Sequence, residues 1–363
     1  MERKLSRQDF VKLSGAAAGS VLSGGLLCSC TTSQMNLLPI KGPIHYARLS
    51  ANKIQSPENF GLTGCYTGIW MGNYACVGQH KQIDSYEEMV GKKPTIFKIP
   101  YRAQPAFTGT QVDAAIYERN RNYQMLEEVA RKGVIPFITY DMRIGESQKS
   151  GHEMVIQGKF DKEISVTAQW LKRFGESYNG FFIRTMREMN LRVWPWSKNT
   201  KKFKKAWQHI WQIFDAEGAN LYATWVFNPY VNSKGDGIGT QYYPGDQYVD
   251  WIGFNGYNFD GQGSWAERQS ITSIFSFASN KYYRIHKTKP QMICETGMDR
   301  LAYKHEWVKR GLTSMKKNLP AIKGVFFITE IGATIKLKTL IHALTLHLKH
   351  WLLIENRSQT HIL

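Results

Sequence analysis

Two glutamates, each following a short apolar run, are the residues best suited to carry chemistry in this sequence. Glu188 comes after Phe181-Phe182-Ile183, and Glu295 comes after Met292-Ile293-Cys294. Apolar runs of this length are typical of strands that are buried on both faces of a sheet. In a parallel barrel, reactive side chains lie at the carboxyl ends of the strands. The sequence therefore predicts that Glu188 and Glu295 converge at one mouth.

A converging pair of carboxyl groups suits the hydrolysis of a glycosidic bond. One group must be protonated to donate to the leaving oxygen, and the other must be ionised to attack the anomeric carbon or to activate water. A separation of about 5–5.5 Å gives retention of configuration, and a larger one gives inversion. Either glutamate alone is equally well explained as a salt-bridged residue at a strand end, so the interpretation rests on the pair.

Aromatic residues near the predicted strand ends fit a site that stacks sugar rings. Trp194 and Trp196 follow Glu188 on either side of Pro195. Because they lie in a predicted loop, we expect them in a cleft rather than in the core. Three further candidates for sugar contact are on other predicted strands: Trp70, Trp225 and Tyr257.

Eight apolar runs alternate with longer amphipathic stretches from about residue 61 onward. The predicted strands are 66–70, 95–99, 134–140, 181–186, 221–227, 249–254, 291–294 and 324–328. The predicted helices are 117–132, 162–177, 203–217, 264–285 and 303–317. This alternation predicts an α/β fold, a single (β/α)8 TIM barrel. An export signal is predicted to precede the barrel. The alternative fold is an open doubly wound sheet, but no glycine-rich nucleotide fingerprint follows the first strand.

The first 30 residues have the composition of an export signal. Basic residues from Arg3 to Arg7 precede a small, apolar stretch over 11–27, which is the order of regions in such signals. The segment 6–12 resembles a twin-arginine pattern in which Gln8 replaces the second arginine. The twin-arginine and general secretory routes both remain open.

The end of this segment, Leu27-Cys28-Ser29-Cys30, resembles a lipobox. The resemblance predicts lipidation of Cys30 and contact with a membrane only through that anchor. The alternative is cleavage and release, so we expect either a cell-envelope lipoprotein or a secreted protein. Residues 31–60 are predicted to be a linker, and residues 61–363 the barrel domain. Its tail, 331–363, is atypical, being either a closing helix or the product of a reading-frame change.

The formal net charge is +18, with Lys and Arg spread along the chain. This indicates a solvated basic surface or attraction to an acidic polymer or an anionic membrane. There is no zinc-finger, basic-zipper or RNP pattern, so no nucleic-acid partner is predicted. The five cysteines have no metal-ligand spacing, so neither a metal nor a cofactor is predicted. Cys65 and Cys76 either form a disulfide or are buried thiols. We expect a monomer.

Several motifs together resemble glycoside hydrolase family 26. The segment 184–190, Arg-Thr-Met-Arg-Glu-Met-Asn, with Trp194-Pro-Trp196 resembles its acid/base motif. The segments 249–257 and 294–297 resemble its sixth strand and its nucleophile strand. The resemblance implies a retaining (β/α)8 endo-β-glycanase that acts on a β-linked polysaccharide such as β-mannan, β-glucan or an exopolysaccharide, without a metal. Glu188 would be the acid/base residue and Glu295 the nucleophile.

The same resemblance implies supporting roles for other residues. Arg184 and Tyr257 would orient the nucleophile or the sugar, and Asn190 would hold the end of the acid/base strand. Mannanases of the family have histidine where Arg187 stands. Arg187 is therefore predicted to bind a substrate other than plain mannan. The alternative function is a non-catalytic or transglycosylating polysaccharide-binding lipoprotein on the same barrel.

Overall fold

The protein folds as a closed barrel of eight parallel strands. The computed structural model describes residues 53–57, 64–70, 81–103, 110–142, 151–235, 237–258, 269–298 and 301–328. The strands are β1 (Tyr66–Trp70), β2 (Ile96–Ala103), β3 (Ile135–Met142), β4 (Phe181–Thr185), β5 (Ala223–Phe227), β6 (Trp251–Asn258), β7 (Gln291–Met298) and β8 (Ile322–Ile328). Each strand pairs with the next along the chain, and β8 pairs with β1. The predicted barrel is confirmed, and all eight predicted strands overlap the observed ones.

In the described residues, α-helices lie between successive strands except between β5 and β6, where only 3-10 turns occur. The helices are α1 (Lys81–Val90), α2 (Thr110–Arg131), α3 (Gly151–Ile156), α4 (Asp161–Tyr178), α5 (Thr200–Ala216), α6 (Ile271–Ile285) and α7 (Leu301–Asn318). Short 3-10 turns occupy Pro195–Ser197, Ala219–Leu221, Thr240–Tyr242 and Asp246–Tyr248. Helices α1 and α3, which are ten and six residues long, were not predicted from the sequence. Helices this short show too few turns for a clear hydrophobic period.

Helix α5 shows how the sequence sets the outer layer. Its N-cap residue, Asn199, accepts a hydrogen bond from the backbone N–H of Lys202 at 3.0 Å. This bond satisfies one of the donors that a helix start leaves unpaired. Its buried stripe consists of Phe203, Ala206, Trp207, Ile210 and Phe214. These residues recur at intervals of three and four, so one face of the helix packs on the barrel.

Large apolar side chains fill the lower part of the barrel interior and form what we call the floor. The floor includes Ile96, Phe137, Phe182, Trp251 and Phe326, which are all at most 1% exposed. Polar side chains occupy the interior above it, towards the carboxyl ends of the strands. The floor excludes water from the lower barrel, and the ionised groups above it must therefore be paired within the protein.

The segment 53–57 closes the floor end of the barrel. The ammonium group of Lys53 donates to Asp250 at 2.9 Å, and the backbone N–H of Ile54 donates to the Thr224 hydroxyl at 2.8 Å. The indole N–H of Trp251 in turn donates to the carbonyl of Ile54 at 3.1 Å. These residues were predicted to belong to the linker, yet they pack on the barrel.

Several predictions concern residues outside the described ranges: the export signal, Cys30, Cys76 and the tail 331–363. Cys65 and Cys294 are free and buried, which agrees with the alternative of buried thiols. Among the described residues, no helix is long and apolar enough to cross a membrane.

Candidate active site

A sharp turn after β4 brings Glu188 over the mouth of the barrel. Met186 and Glu188 both have left-handed backbones, with φ values of 45° and 55°. Residues other than glycine rarely adopt this conformation, and such strain is concentrated at functional sites. The backbone N–H of Glu188 donates to the carbonyl of Asn228, just beyond β5, at 2.7 Å. The turn is thus fixed to the neighbouring strand end.

The Glu188 carboxyl group is buried and is held by two neutral donors. The Trp194 indole N–H donates to Oε2 at 2.9 Å, and the Asn255 amide donates to Oε1 at 2.8 Å. Each carboxylate oxygen has two acceptor positions, so both oxygens keep one position for a proton or a substrate group. Nearby indole and amide donors fix the orientation of the carboxyl group without adding a positive charge.

Glu295 reaches the barrel interior because β7 contains a bulge. Phe254 of β6 pairs with Ile293, but the next residue, Asn255, pairs with Glu295. Cys294 is therefore an extra residue on β7, and it contributes to the interior cluster. Regular alternation would direct the next side chain outward, whereas a bulge shifts the alternation by one residue. Glu295 lies within β7 rather than at its end, where the sequence analysis placed it.

Three donors hold the Glu295 carboxylate. Lys98 and Arg184 both donate to Oε1, and the Tyr257 hydroxyl donates to Oε2 at 2.5 Å. Burial raises the pKa of the Glu295 carboxyl, but the charges of Lys98, Arg184 and Arg187 outweigh this effect and hold the pKa well below its usual value. Glu295 is therefore ionised at neutral pH.

Arg184 joins four strands through one guanidinium group. Its side chain is fully buried. It donates to Thr139 on β3 at 2.9 Å, to Asn228 after β5, to Asn255 on β6 at 3.3 Å, and to Glu295 on β7. The planar guanidinium fixes these partners relative to one another. Since Asn255 also donates to Glu188, one hydrogen-bond network contains both candidate catalytic carboxyl groups.

Arg187 lies behind the acid/base candidate. It forms a partly buried ion pair with Asp141 of β3, and its guanidinium is 4.8 Å from the centre of a Trp194 ring. Burial lowers the pKa of Arg187, but Asp141, Glu188 and Glu295 together raise it above its usual value. Arg187 thus remains charged and supports Trp194, the residue that holds Glu188. These contacts place Arg187 in a supporting position, whereas the sequence predicted that it binds the substrate.

The cations of this site are all paired within the protein. Three cations and three carboxylates come together here: Lys98, Arg184, Arg187, Asp141, Glu188 and Glu295. Each cation makes an ion pair with one of the carboxylates. The set is electrically neutral when all six groups are ionised, and it carries one net positive charge when Glu188 is protonated.

Two of the predicted sugar-stacking residues lie in the core. Trp196 is fully buried, stacks on Trp194 with ring centres 5.1 Å apart, and donates to the carbonyl of Arg187 at 2.9 Å. Trp225 points outward from β5, is fully buried against Trp207 of α5, and donates to Asn220 at 2.8 Å. The prediction that Trp196 and Trp225 offer faces to a sugar is wrong, because neighbouring elements cover both rings.

The remaining predicted residues have mixed positions. Trp194 is 4% exposed, and its indole N–H donates to Glu188. Asn190 donates to the carbonyls of Tyr230 and Gly237 at 2.7 and 2.5 Å, so it ties the acid/base turn to the chain after β5. Trp70 is the last residue of β1, and the position of its ring is outside the described side chains.

Five polar residues that were not predicted from the sequence complete the site: Lys98, Thr139, Asp141, Asn228 and Asn255. Lys98 carried a usable signal, because it interrupts the apolar run 95–99. A lysine inside a strand that is buried on both faces must find a partner there. No cluster of His, Cys, Asp and Glu in the described part of the chain is arranged to hold a metal ion.

Comparison with known proteins places the barrel and its motifs in context. The model of glycosyl hydrolase family 26 matches residues 81–309. Endoglucanase H of Acetivibrio thermocellus is 29% identical over 274 residues, which are 72% of this chain and 27% of that protein. The chain therefore spans 27% of the length of this relative.

Solved structures show the same fold. One is the GH26 domain of an endo-β-mannanase/endo-β-glucanase from Prevotella bryantii (TM-score 0.55, 15% identity), which covers 77% of this chain and 88% of that one. Another is the catalytic domain of a GH26 endo-β-1,4-mannanase from Bacillus sp. JAMB-750 (TM-score 0.57, 16% identity), which covers 79% of this chain and 86% of that one. At these identities the likeness supports the fold.

Replacing Glu295 with glutamine is expected to destabilise the protein at neutral pH by about 3 kcal/mol, because Lys98 and Arg184 lose their buried counter-charge. The pKa of Glu295 is lower in the folded protein than in the unfolded chain. Its contribution to the free energy of unfolding is therefore fully present above the pKa of the unfolded state, and it is lost as the pH falls through the pKa of the folded state. Urea unfolding at several pH values should therefore show that the difference in free energy of unfolding between Glu295→Gln and the unsubstituted protein decreases as the pH falls.

Glu188→Gln is the matched control, because Glu188 is held by neutral donors. We expect a loss of about 1 kcal/mol for this variant. Equal free energies of unfolding for Glu295→Gln and the unsubstituted protein at neutral pH would contradict the electrostatic role of Glu295.

Proposed function

The chain belongs to glycosyl hydrolase family 26, and from this membership we propose that it is a retaining endo-β-glycanase that hydrolyses a β-linked polysaccharide by double displacement. The observation that carries the proposal is the contrast between its two buried carboxyl groups. Glu295 is surrounded by cations, whereas Glu188 is held by neutral donors. Groups with contrasting surroundings are suited to the two roles that glycoside hydrolysis requires.

In the first step, Glu295 attacks the anomeric carbon and Glu188 protonates the departing glycosidic oxygen. The cations around Glu295 keep it ionised at neutral pH, as a nucleophile must be. In the second step, Glu188 removes a proton from water, and the water oxygen displaces Glu295 from the sugar. Asn255 and Arg184 connect the two carboxyl groups, and they hold them in one geometry throughout.

A neutral β-glucan is the substrate class that we place first. The curated relative is an endoglucanase, while several of the structural relatives are mannanases. Lys98, Arg184 and Arg187 are each paired with a carboxylate of the protein, and this favours an uncharged sugar at the cleaved bond. The acidic polysaccharide suggested by the net charge of +18 would need cations outside this set.

Export is a second part of the proposal, supported by the N-terminal sequence. We propose that the protein is carried across a membrane and is held at the cell envelope by a lipid on Cys30. A single acyl-modified cysteine would tether the barrel and leave it in water. The presence of both carboxyl groups with their supporting residues argues against the non-catalytic alternative. Transglycosylation would use the same covalent intermediate, with a sugar hydroxyl in place of water.

Mixed-linkage β-glucan should give new reducing ends faster than β-mannan does, because Arg187 stands where the motif resemblance places the histidine of the family's mannanases. A panel of mixed-linkage glucan, mannan, xylan and an acidic exopolysaccharide measures this directly. Oligosaccharides from early time points separate endo action from release at chain ends. Binding of these polymers without any product would exclude hydrolysis, and products longer than the substrate would indicate transglycosylation.

Glu188→Ala should slow hydrolysis of the natural polymer by about 10²- to 10⁴-fold, the usual contribution of a general acid. Its first step on an aryl glycoside with a good leaving group should be nearly normal, since such a group departs without a proton. Glu295→Ala should lose activity on both substrates by several orders of magnitude. Rates on both substrates, with circular dichroism as a folding control, test the assignment. An equal loss on both substrates for Glu188→Ala would contradict its acid/base role.

Cells that express the full chain should incorporate a labelled fatty acid into it, and Cys30→Ser should abolish the label because the acyl chain is carried by this cysteine. Cys28→Ser is the matched control, and the sequence places it two residues upstream. Label that persists in Cys30→Ser, or that depends on Cys28 alone, would refute the predicted anchor site.

A further inference from the structure

Lys98 supports Glu295 from the floor of the barrel. Its side chain is 5% exposed, and its ammonium group donates to Oε1 of Glu295. In the β2–β3 register Lys98 pairs with Phe137, a residue of the floor. Thr139, which binds Arg184, lies two residues further towards the mouth. Lys98 therefore approaches the carboxylate from below, on the side away from an entering sugar.

The donors are distributed unequally between the two oxygens of Glu295. Oε1 accepts from two cations, Lys98 and Arg184, which fill both of its acceptor positions. Oε2 accepts only from the Tyr257 hydroxyl among the described residues, so it keeps one lone pair. Oε2 is the oxygen with electrons available for attack.

From this arrangement we propose that Oε2 of Glu295 forms the bond to the sugar, and that Lys98 is a positioning residue that favours release of Glu295 from the covalent glycosyl-enzyme. The inference rests on the double displacement proposed above. It adds a residue that no motif had marked, and it assigns different tasks to the two oxygens of the nucleophile.

The charge changes of the reaction explain the role of Lys98. When Oε2 bonds to the anomeric carbon, the glycosidic C–O bond breaks and its oxygen takes the proton of Glu188. Glu295 becomes a neutral ester, and its carbonyl oxygen, Oε1, still faces Lys98 and Arg184. Two buried cations then lack the negative charge that balanced them, which makes the ester less stable than the carboxylate.

The second step restores that charge. Water transfers a proton to Glu188, and the water oxygen bonds to the anomeric carbon. The ester C–O bond breaks, and the electron pair returns to Glu295 beside Lys98. Because Lys98 stabilises the free carboxylate more than the ester, it should slow the first step and accelerate the second.

The protonation of Lys98 fits this role. Burial lowers its pKa to about 8, with Arg184 and Arg187 acting in the same direction and Glu295 opposing them. Lys98 is therefore mainly charged at neutral pH and depends on Glu295 for compensation. The loss of that partner charge in the ester is felt directly at Lys98.

Lys98→Met removes the charge while keeping an unbranched side chain. On an activated aryl β-glycoside of the preferred sugar, kcat and KM should both fall about tenfold or more, and kcat/KM should stay within about threefold of the original or rise. This pattern indicates a slower second step with an accumulating intermediate. Acid-quenched samples should contain the glycosyl-enzyme by intact mass spectrometry, with the sugar mapped to Glu295.

Two further variants separate charge from packing. Lys98→Gln keeps a hydrogen-bond donor without the charge, and it should behave like Lys98→Met; unchanged kinetics in Lys98→Gln would overturn the electrostatic argument. It also provides the test if Lys98→Met fails to fold, which circular dichroism will show. Lys132→Met, which breaks a pair with Asp84 on α1 away from the site, should leave the kinetics unchanged.

The proposal is overturned if kcat and kcat/KM fall together at constant KM and no covalent adduct appears. That result would mean that Lys98 assists the first step or only the fold. Absence of turnover and of adduct in the unsubstituted protein would instead refute the double displacement itself. The two failures are therefore distinguishable.

Discussion

Burial of charged groups above the apolar floor is the constraint on which the rest of the site depends. Ionised groups without water must be paired, and Arg184 meets this requirement for several strands at once. Its partners are on or just after β3, β5, β6 and β7, so the network also closes that part of the barrel. Stability and the placement of Glu295 are consequences of the same contacts. Loss of one charged member leaves the others uncompensated, which is why such networks tolerate change poorly.

Two backbone irregularities place the carboxyl groups where this network can hold them. The left-handed backbone at Glu188 turns the chain back over the mouth, and the bulge at Cys294 directs Glu295 inward. Both features have a conformational cost, which the hydrogen bond from the Glu188 N–H to the Asn228 carbonyl and the hydrogen bonds from Asn255 and Tyr257 help to offset. Regular strands and turns would have left the two side chains apart.

Much of this architecture could be predicted from the sequence, and the exceptions have physical causes. Apolar runs separated by amphipathic stretches predicted the closed barrel, and the strand-end rule predicted that Glu188 and Glu295 would meet. The bulge could not be predicted, because it depends on pairing with β6 and β8. Trp225 could have been excluded by alternation, since Thr224 and Val226 occupy the interior positions of β5. Trp196 could not, because its burial depends on how the loop folds back. Lys98 was visible as a lone charge in an apolar strand, but its partner is 197 residues away.

The contacts of residues 53–57 also fix the point at which the chain enters the barrel. Lys53 and Ile54 are fixed to Asp250, Thr224 and Trp251 at the amino ends of the strands, opposite the mouth. A force applied to the chain at Lys53 is therefore transmitted to the closed end of the barrel, away from Glu188 and Glu295.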